Sequence, residues 1–306
     1  MRYITDTEVK QLVTIDESIE CLEQAFLAFA QGDAAVQPRL RTEAGGIKLS
    51  TLGAVMPTLG YAGAKVYTTI GGRFSFALIL FRTADGAPVA VMDGNALTQV
   101  RTGAVSAVAA RRLSAPDASV LTIFGSGVQA RAHALALPRV RPIREIRVVS
   151  RSEPREFLDF IRTHARVPAV PIDAARGLDG AGIVVTATRS KTPLFDGGLL
   201  APGCFVAAIG SSLPDTRELD DNAMRRAGRI VVEWLEQTRA EAGDLILADK
   251  GGAIDWNKVS ELGALLVDAK APRTAGDGIV VFKSVGFGLE DVALAALAYR
   301  KASGER

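Results

Sequence analysis

Apolar residues recur every three or four positions at Ile19, Leu22, Phe26 and Phe29. That spacing lines one face of an α-helix. Asp16 is the expected cap of this helix and Gly32 its expected end. From about residue 47 to 93 the rhythm changes. "IKLSTLGAVM", "AGAKVYTTI", "FALILF" and "PVAVMD" are short strand-like runs separated by Gly, Pro and Asp-Gly signals, which mark hairpins. Residues 96 to 114, "ALTQVRTGAVSAVAARRLS", form a helix rich in small side chains, and Pro116 breaks the chain after it. We place a domain boundary there.

Beyond Pro116 the pattern alternates. "SVLTIF" is a continuous β-rich run, "GVQARAHALAL" a helix, "EIRVVS" a strand and "EPREFLDFIRTHA" a helix. "GIVVTAT" and "CFVAAIG" are further strands, and "LEDVALAALAYRKA" at about 289 to 302 is a closing helix. Parallel strands buried on both faces read as near-continuous apolar runs, and helices must cross between them. The second region is therefore expected to be a doubly wound sheet of the Rossmann kind in an α/β protein.

Composition narrows the function. The chain has 306 residues, 48% hydrophobic and 23% charged, enough for a sizeable core and two domains. A net charge of +2 gives no electrostatic reason to expect nucleic acid or a membrane surface as partner. Cys21 and Cys204 lie far apart in apolar contexts and do not form a disulfide framework. No apolar leader and no long apolar run are evident, so a cytoplasmic location is expected. With only His133 and His164 as histidines, and no local cluster of ligands, no metal is expected.

"IFGSGVQARAH" carries Gly125, Gly127 and Ala130, a G-x-G-x-x-A fingerprint. Gly125 permits the tight turn, and Gly127 lets the backbone approach a pyrophosphate at a helix N-terminus. Ala130 keeps helix and sheet close. The pattern alone is weak, but here it follows a strand and opens a helix, which is the confirming context. The tip of the next strand reads Ser150, Arg151, Ser152. No acid stands there to grip ribose hydroxyls, and Arg151 is suited to an extra phosphate. NADP is therefore expected as cofactor in preference to NAD.

At this point the chain resembles the ornithine cyclodeaminase/mu-crystallin family over nearly its whole length. The matching stretches are "AKVYT" around Lys65, "AVMDGNALTQVRTGAVSAVAA" around Arg101, "IFGSGVQARAH", "GSSLPDTRELDD" and "VFKSVGFGLEDVA" around Lys283. The resemblance implies a homodimer. It also implies an α+β substrate and dimerisation domain made of residues 1–115 with 287–306, and a Rossmann domain over residues 116–286. The family's lysine falls on Lys65 and its substrate-carboxylate arginine on Arg101. A second substrate arginine falls on Arg39 or Arg41. Expected cofactor contacts are Gly125, Ser126, Gly127, Val128, Gln129 and Ala130, then Ser150, Arg151 and Ser152. Strand-end residues Thr186, Ala187, Thr188 and Gly210, with Lys283 and Ser284, complete that set. The residue chemistry agrees, since an arginine fork clamps a carboxylate and a partly desolvated lysine is suited to proton transfer.

Two departures bear on substrate. Ornithine cyclodeaminases carry an aspartate where this chain has Ser212, the third catalytic candidate beside Lys65 and Arg101. A serine hydroxyl is a poor base near neutral pH. The loop resembles instead that of mu-crystallin-like reductases. The segment after Lys65, "TTIGGRFSFALILF", lacks the family's glutamine-containing loop, and Ser75 falls near that position. The expected activity is therefore reduction of small cyclic ketimine carboxylates to cyclic amino acids. Ornithine cyclodeamination, with loss of ammonia, and amino-acid dehydrogenation are the enzymatic alternatives. A non-catalytic cofactor- or ligand-binding protein is the alternative of another class.

Overall fold

The computed structural model describes residues 1–268 and 278–305. Residues 269–277 and 306, which fall inside the two expected domain spans, lie outside the described residues. The chain divides into two compact units, Met1–Val105 with Phe287–Arg306, and Ser106–Gly286.

The first unit opens with β1 (Arg2–Ile4), α1 (Asp6–Leu12) and α2 (Ile15–Ala30). Strands β2 (Ala35–Ala44), β3 (Ile47–Met56), β4 (Tyr61–Ile70), β5 (Arg73–Arg82) and β6 (Pro88–Asp93) follow, then α3 (Asn95–Leu113) and, from the chain's end, α11 (Gly288–Ser303). The sheet order is β1-β6-β5-β4-β3-β2, antiparallel except for β1 against β6. Gly71 and Gly72, at φ +54° and +74°, make the two-residue turn that joins β4 to β5. Positive φ at both positions matches the twist of the flanking strands.

One sheet face is the core. Ser50, Leu52, Ala54 and Met56 of β3 are buried, as are Tyr61, Lys65 and Tyr67 of β4 and Leu78 and Leu80 of β5. Helix α11 lies so close to β3 that a Cβ on Gly288 would meet the Gly53 carbonyl oxygen at 2.6 Å. Phe287 packs on Phe26 and Phe29 of α2, ring centres 5.9 and 5.2 Å apart. Each fully buried side chain of this kind contributes about 1.5–3 kcal/mol.

The second unit contains β7 (Val120–Phe124), α4 (Val128–Ala136), β8 (Glu145–Val149), α5 (Arg155–Phe160), β9 (Ala169–Pro171), α6 (Ala174–Leu178) and β10 (Ile183–Thr186). It continues with β11 (Phe205–Ala208), α7 (Asp221–Arg226), β12 (Ala227–Val232), α8 (Leu235–Glu241), α9 (Gly243–Lys250), β13 (Val259–Glu261), α10 (Leu262–Val267) and β14 (Ile279–Lys283). Its eight strands run parallel in the order β13-β12-β14-β11-β10-β7-β8-β9. The chain leaves β7 towards β8 and later returns to its other side at β10. The strand order thus reverses between β7 and β10, the place where such sheets open a ligand crevice at their carboxyl ends. This is the Rossmann-like α/β fold expected above.

Some expectations change. Helix α2 is capped by Thr14, whose hydroxyl accepts from the Glu17 N–H while Glu17 reaches back to Thr14; Asp16 sits inside the first turn. Strand β2 was not anticipated because Pro38 interrupts it. It is an edge strand with its register shift between Gln37 and Leu40, where a proline is tolerated. The division between units falls at Ser106, inside α3, and not at Pro116. The helix's second half is tied into the Rossmann unit. His133 bonds Ser106 at 2.8 Å, and the Arg141 guanidinium donates to the carbonyls of Ala110, Arg111 and Ser114. The helix expected from "EPREFLDFIRTHA" is α5 followed by a π-turn over Ile161–Ala165.

Candidate active site

Lys65 is placed by the two-residue period of β4. It lies in register between Leu52 on β3 and Leu78 on β5, both buried, and is itself 2% exposed. An ammonium in such a row requires partners. Its Nζ donates to Asp291 Oδ1 at 2.6 Å and to Thr98 Oγ1 at 3.4 Å, and lies 5.3 Å from the Phe76 ring centre. An ammonium has three hydrogens, so one has no acceptor among the described residues. Burial drives the Lys65 pKa from 10.5 down to about 8. Asp291 opposes that shift, while the charges of Arg101 and Arg39 add to it.

Arg101 projects from α3 into the same cluster, 6% exposed. Its Nη1 donates to Glu290 Oε2 at 2.9 Å, and its Nε lies 3.5 Å from Asp291 Oδ1. Glu290 and Asp291 are consecutive in the first turn of α11 and fully buried. A helix N-terminus favours negative charge. Arg39 and Arg41 both lie on β2; Arg41 is exposed, whereas Arg39 is partly buried and its charge is felt at Lys65. The structure thus brings together Lys65, Arg101 and Arg39, and leaves Arg41 outside. Ser75, at the exposed start of β5, pairs with Thr68 on β4.

Sequence reasoning missed Glu290 and Asp291. Two adjacent acids opening the "GLEDVALAALAYRKA" helix were the available signal. Their partners stand 189 and 226 residues away.

In the Rossmann unit the β7–α4 turn has the geometry of a pyrophosphate cradle. Gly125 has φ +107°, and a Cβ there would meet the Ala187 carbonyl oxygen at 2.5 Å. A Cβ on Gly127, the N-cap of α4, would meet nothing within 4 Å. No side chain caps α4, so its first N–H groups are available to an anion. Ser126 lies in the turn, Val128 is exposed, Gln129 is partly buried and Ala130 is buried against the sheet. The residues therefore fit a dinucleotide.

Beyond β8, Ser150, Arg151, Ser152 and Pro154 line an open cavity of about 370 Å³ with Val148 and Ile172. Arg151 is exposed and makes no ion pair or hydrogen bond among the described residues. The acid of this loop, Glu153, is engaged with Arg155 at 2.8 Å.

The strand ends at Thr186, Ala187, Thr188 and Gly210 are tied together by Glu218. Its carboxylate accepts from Thr186 Oγ1 (2.8 Å), the Thr188 N–H (2.7 Å) and hydroxyl (2.6 Å), and the Gly210 N–H (2.7 Å). Burial raises the Glu218 pKa. A Cβ on Gly210 would lie 2.1 Å from the Thr188 carbonyl oxygen, so only glycine fits. Ser211 is buried and donates to the Thr216 carbonyl at 2.6 Å, while Ser212 beside it is partly exposed.

The Lys283 amine, an expected cofactor contact, is engaged within its own unit. It donates to the carbonyls of Ala208 (3.2 Å) and Ser211 (2.6 Å) and forms an ion pair with Asp244, Nζ lying 2.9 Å from Oδ2. The Ser284 hydroxyl donates to Glu233 at 2.6 Å. Both side chains support the loop from within.

The family model for ornithine cyclodeaminase/mu-crystallin proteins matches residues 2–306. The structure of a probable ornithine cyclodeaminase from Bordetella pertussis Tohama I superposes with a TM-score of 0.96 at 51% identity, covering 100% of this chain and 98% of that one. A Δ1-pyrroline-2-carboxylate reductase from Thermococcus litoralis, solved with NADH and L-proline, gives 0.95 at 29% identity, covering 99% and 98%. The ketimine reductase mu-crystallin of Mus musculus is 33% identical over 292 residues, covering 91% and 90%. Among the described residues no helix is long and apolar enough to cross a membrane.

Proposed function

The chain belongs to the ornithine cyclodeaminase/mu-crystallin family, and from that premise we propose that it reduces small cyclic ketimine carboxylates, such as Δ1-pyrroline- or Δ1-piperideine-2-carboxylate, to cyclic amino acids with NADPH. The observation that carries this reading is the buried cluster in which Lys65 and Arg101 meet Asp291 and Glu290, with the charge of the partly buried Arg39 felt at Lys65. The Arg101 fork, with Arg39, binds the substrate carboxylate. Lys65 has a hydrogen to give and a pKa of about 8, close to the working range of a general acid. Its proton goes to the ring nitrogen of the imine. The nicotinamide, when bound, supplies the hydride. Gly125, Gly127 and the α4 N-terminus would hold its pyrophosphate, and Arg151 with Ser150 and Ser152 would receive the extra phosphate of NADPH.

A second reading, ornithine cyclodeamination, is favoured by the 51% identity to a probable enzyme of that kind. Ser212 weighs against it, because no carboxylate base stands at that loop position. One assay separates the two. The pure protein is given NADPH with each cyclic imine, and separately ornithine with NAD. Imine-dependent NADPH consumption is expected, with little ammonia from ornithine. Ornithine turnover matching the best imine would overturn the reading of Ser212. Ser212→Asp is expected to keep cofactor binding and impair imine reduction, because a new carboxylate would compete for the lysine's proton.

The protein is further read as a homodimer. The sheet face of the first unit opposite α11 presents Leu40, Ile47, Leu49, Val55 and Ile70, each 45–58% exposed, and a patch of this kind marks an interaction surface. Light scattering of the purified protein tests this; a monomer at micromolar concentration would exclude it.

A further inference from the structure

We propose that Asp291 is the positioning residue of the proton donor and Glu290 that of the carboxylate-binding arginine, so that the first turn of α11 sets the spacing of the two substrate-facing cations. The inference rests on the roles proposed for Lys65 and Arg101. It begins from a division of contacts. Asp291 Oδ1 takes Lys65 Nζ at 2.6 Å, and Glu290 Oε2 takes Arg101 Nη1 at 2.9 Å. The two acids are neighbours on one rigid turn, while the two cations come from β4 and α3. Lys65 has leucines on either side in register, and Arg101 stands among small buried residues of α3.

Among the described residues, the charged groups acting on Lys65 come from three elements. Arg39 on β2 and Arg101 on α3 both repel its proton, and burial does the same. Asp291 on α11 is the one group in contact that favours the charged form, through its charge and its hydrogen bond. Glu290 lies against Arg101. Without Asp291 the amine would face two guanidinium groups in a dry site and would shed its proton at lower pH. The outer oxygen of Asp291, Oδ2, is buried with no hydrogen-bond partner among the described residues.

The separation of roles gives the test. In the unmodified protein kcat for imine reduction is measured against pH. Asp291→Asn is expected to move the midpoint of the alkaline fall down by about one to three pH units; since Arg101 Nε also lies 3.5 Å from Asp291 Oδ1, the midpoint and not KM is the readout for this variant. Glu290→Gln is expected to leave that midpoint in place and raise KM about tenfold or more, the cost of a lost charge-assisted bond to the clamp. A midpoint unmoved in Asp291→Asn, or moved in Glu290→Gln with KM unchanged, overturns the assignment. Should Asp291→Asn not fold, Asp291→Glu carries the test. It keeps the charge and displaces the carboxylate by one methylene, so kcat should fall at an unchanged midpoint; an unchanged kcat overturns the proposal. If the unmodified protein reduces no ketimine, the functional reading fails separately. The Lys65 titration is then followed by NMR of protein labelled with 15N at lysine Nζ, where Asp291→Asn must still lower the midpoint.

Discussion

Two buried lysines, one in each unit, show how similar chemistry serves different ends. Lys65 and Lys283 are 2% and 0% exposed, and each pairs with an aspartate, at 2.6 and 2.9 Å. They differ in what remains after pairing. Besides its aspartate, Lys283 donates to two backbone carbonyls, those of Ala208 at the end of β11 and Ser211 in the loop beyond it. Lys65 has two acceptors, one of them at a long 3.4 Å, and a second cation, Arg101, beside the same carboxylate. A buried ion anchored to the backbone is a fastening; one with a single short bond, among like charges, is poised to react.

The contrast breaks most sharply by removing each amine in turn. Lys65→Met is expected to lower kcat for imine reduction by about a hundred- to ten-thousand-fold, the usual contribution of a general acid. NADPH affinity should be unchanged in a fluorescence titration, because the dinucleotide cradle lies in the other unit. Retained turnover would move the proton donor elsewhere.

Lys283→Met is expected to act on stability first. Breaking a buried pair leaves Asp244 without its cation and costs about 3–5 kcal/mol. Asp244 also accepts the N–H groups of Glu218 and Leu219 at 2.7 and 2.9 Å, so the damage should spread to the carboxylate that ties Thr186, Thr188 and Gly210 together. Urea denaturation measures it. A variant as stable as the parent, with nicotinamide binding lost, would make Lys283 a ligand contact after all.

How much of this was legible in the chain follows from the same pair. Lys65 stood out because a charge is unusual within "AGAKVYTT", and the resemblance assigned it a role. Lys283 carried a similar signal, a lysine ending the apolar run "IVVFK", and the resemblance drew it to the cofactor, whereas its amine turns inward. Periodicity cannot tell which way a strand-end side chain finds its partners, since Asp244 comes from a helix and Ser211 from a distant loop. Glu218 was hidden for a related reason. "DTRELDD" reads as a solvated polar turn, yet Glu218 is fully buried and closes the ends of two strands. The strands from Ile47 to Asp93 and the fingerprint loop were readable because their physics is local: alternation, turn glycines and a helix that follows a strand. Strand β2 was obscured by Pro38, and with it the choice between Arg39 and Arg41.

The comparison also extends to the cofactor end of the Rossmann unit, where Arg151 is the opposite of Lys283: exposed, and without an ion pair among the described residues. Arg151→Ala is expected to cost about 1.5–3 kcal/mol in NADPH binding and little in NADH binding, narrowing the gap between them. Equal affinities for the two cofactors in the parent protein would remove the NADP preference.

The smallest expected effect is the pH dependence that separates Lys65 as a reagent from Lys65 as a fastening. Its pKa is about 8 in the folded protein, against 10.5 for the free side chain. Imine reduction uses the protonated amine, so kcat should hold below pH 8 and fall above it. Between pH 7 and 9 the protonated fraction drops about tenfold. The same lysine acts on stability with the opposite sign. From about pH 8 to 10.5 the unfolded chain retains a proton that the folded one has released, so raising the pH through that window favours the folded state as far as this group is concerned. Activity should thus decline over a range in which Lys65 does not weaken the fold. Measuring kcat and the thermal midpoint together from pH 6.5 to 10 distinguishes the cases. A kcat flat to pH 9.5 would mean that Lys65 gives no proton in the rate-determining step. A kcat that falls only in step with the thermal midpoint would mean that unfolding, and not the amine, sets the alkaline limit.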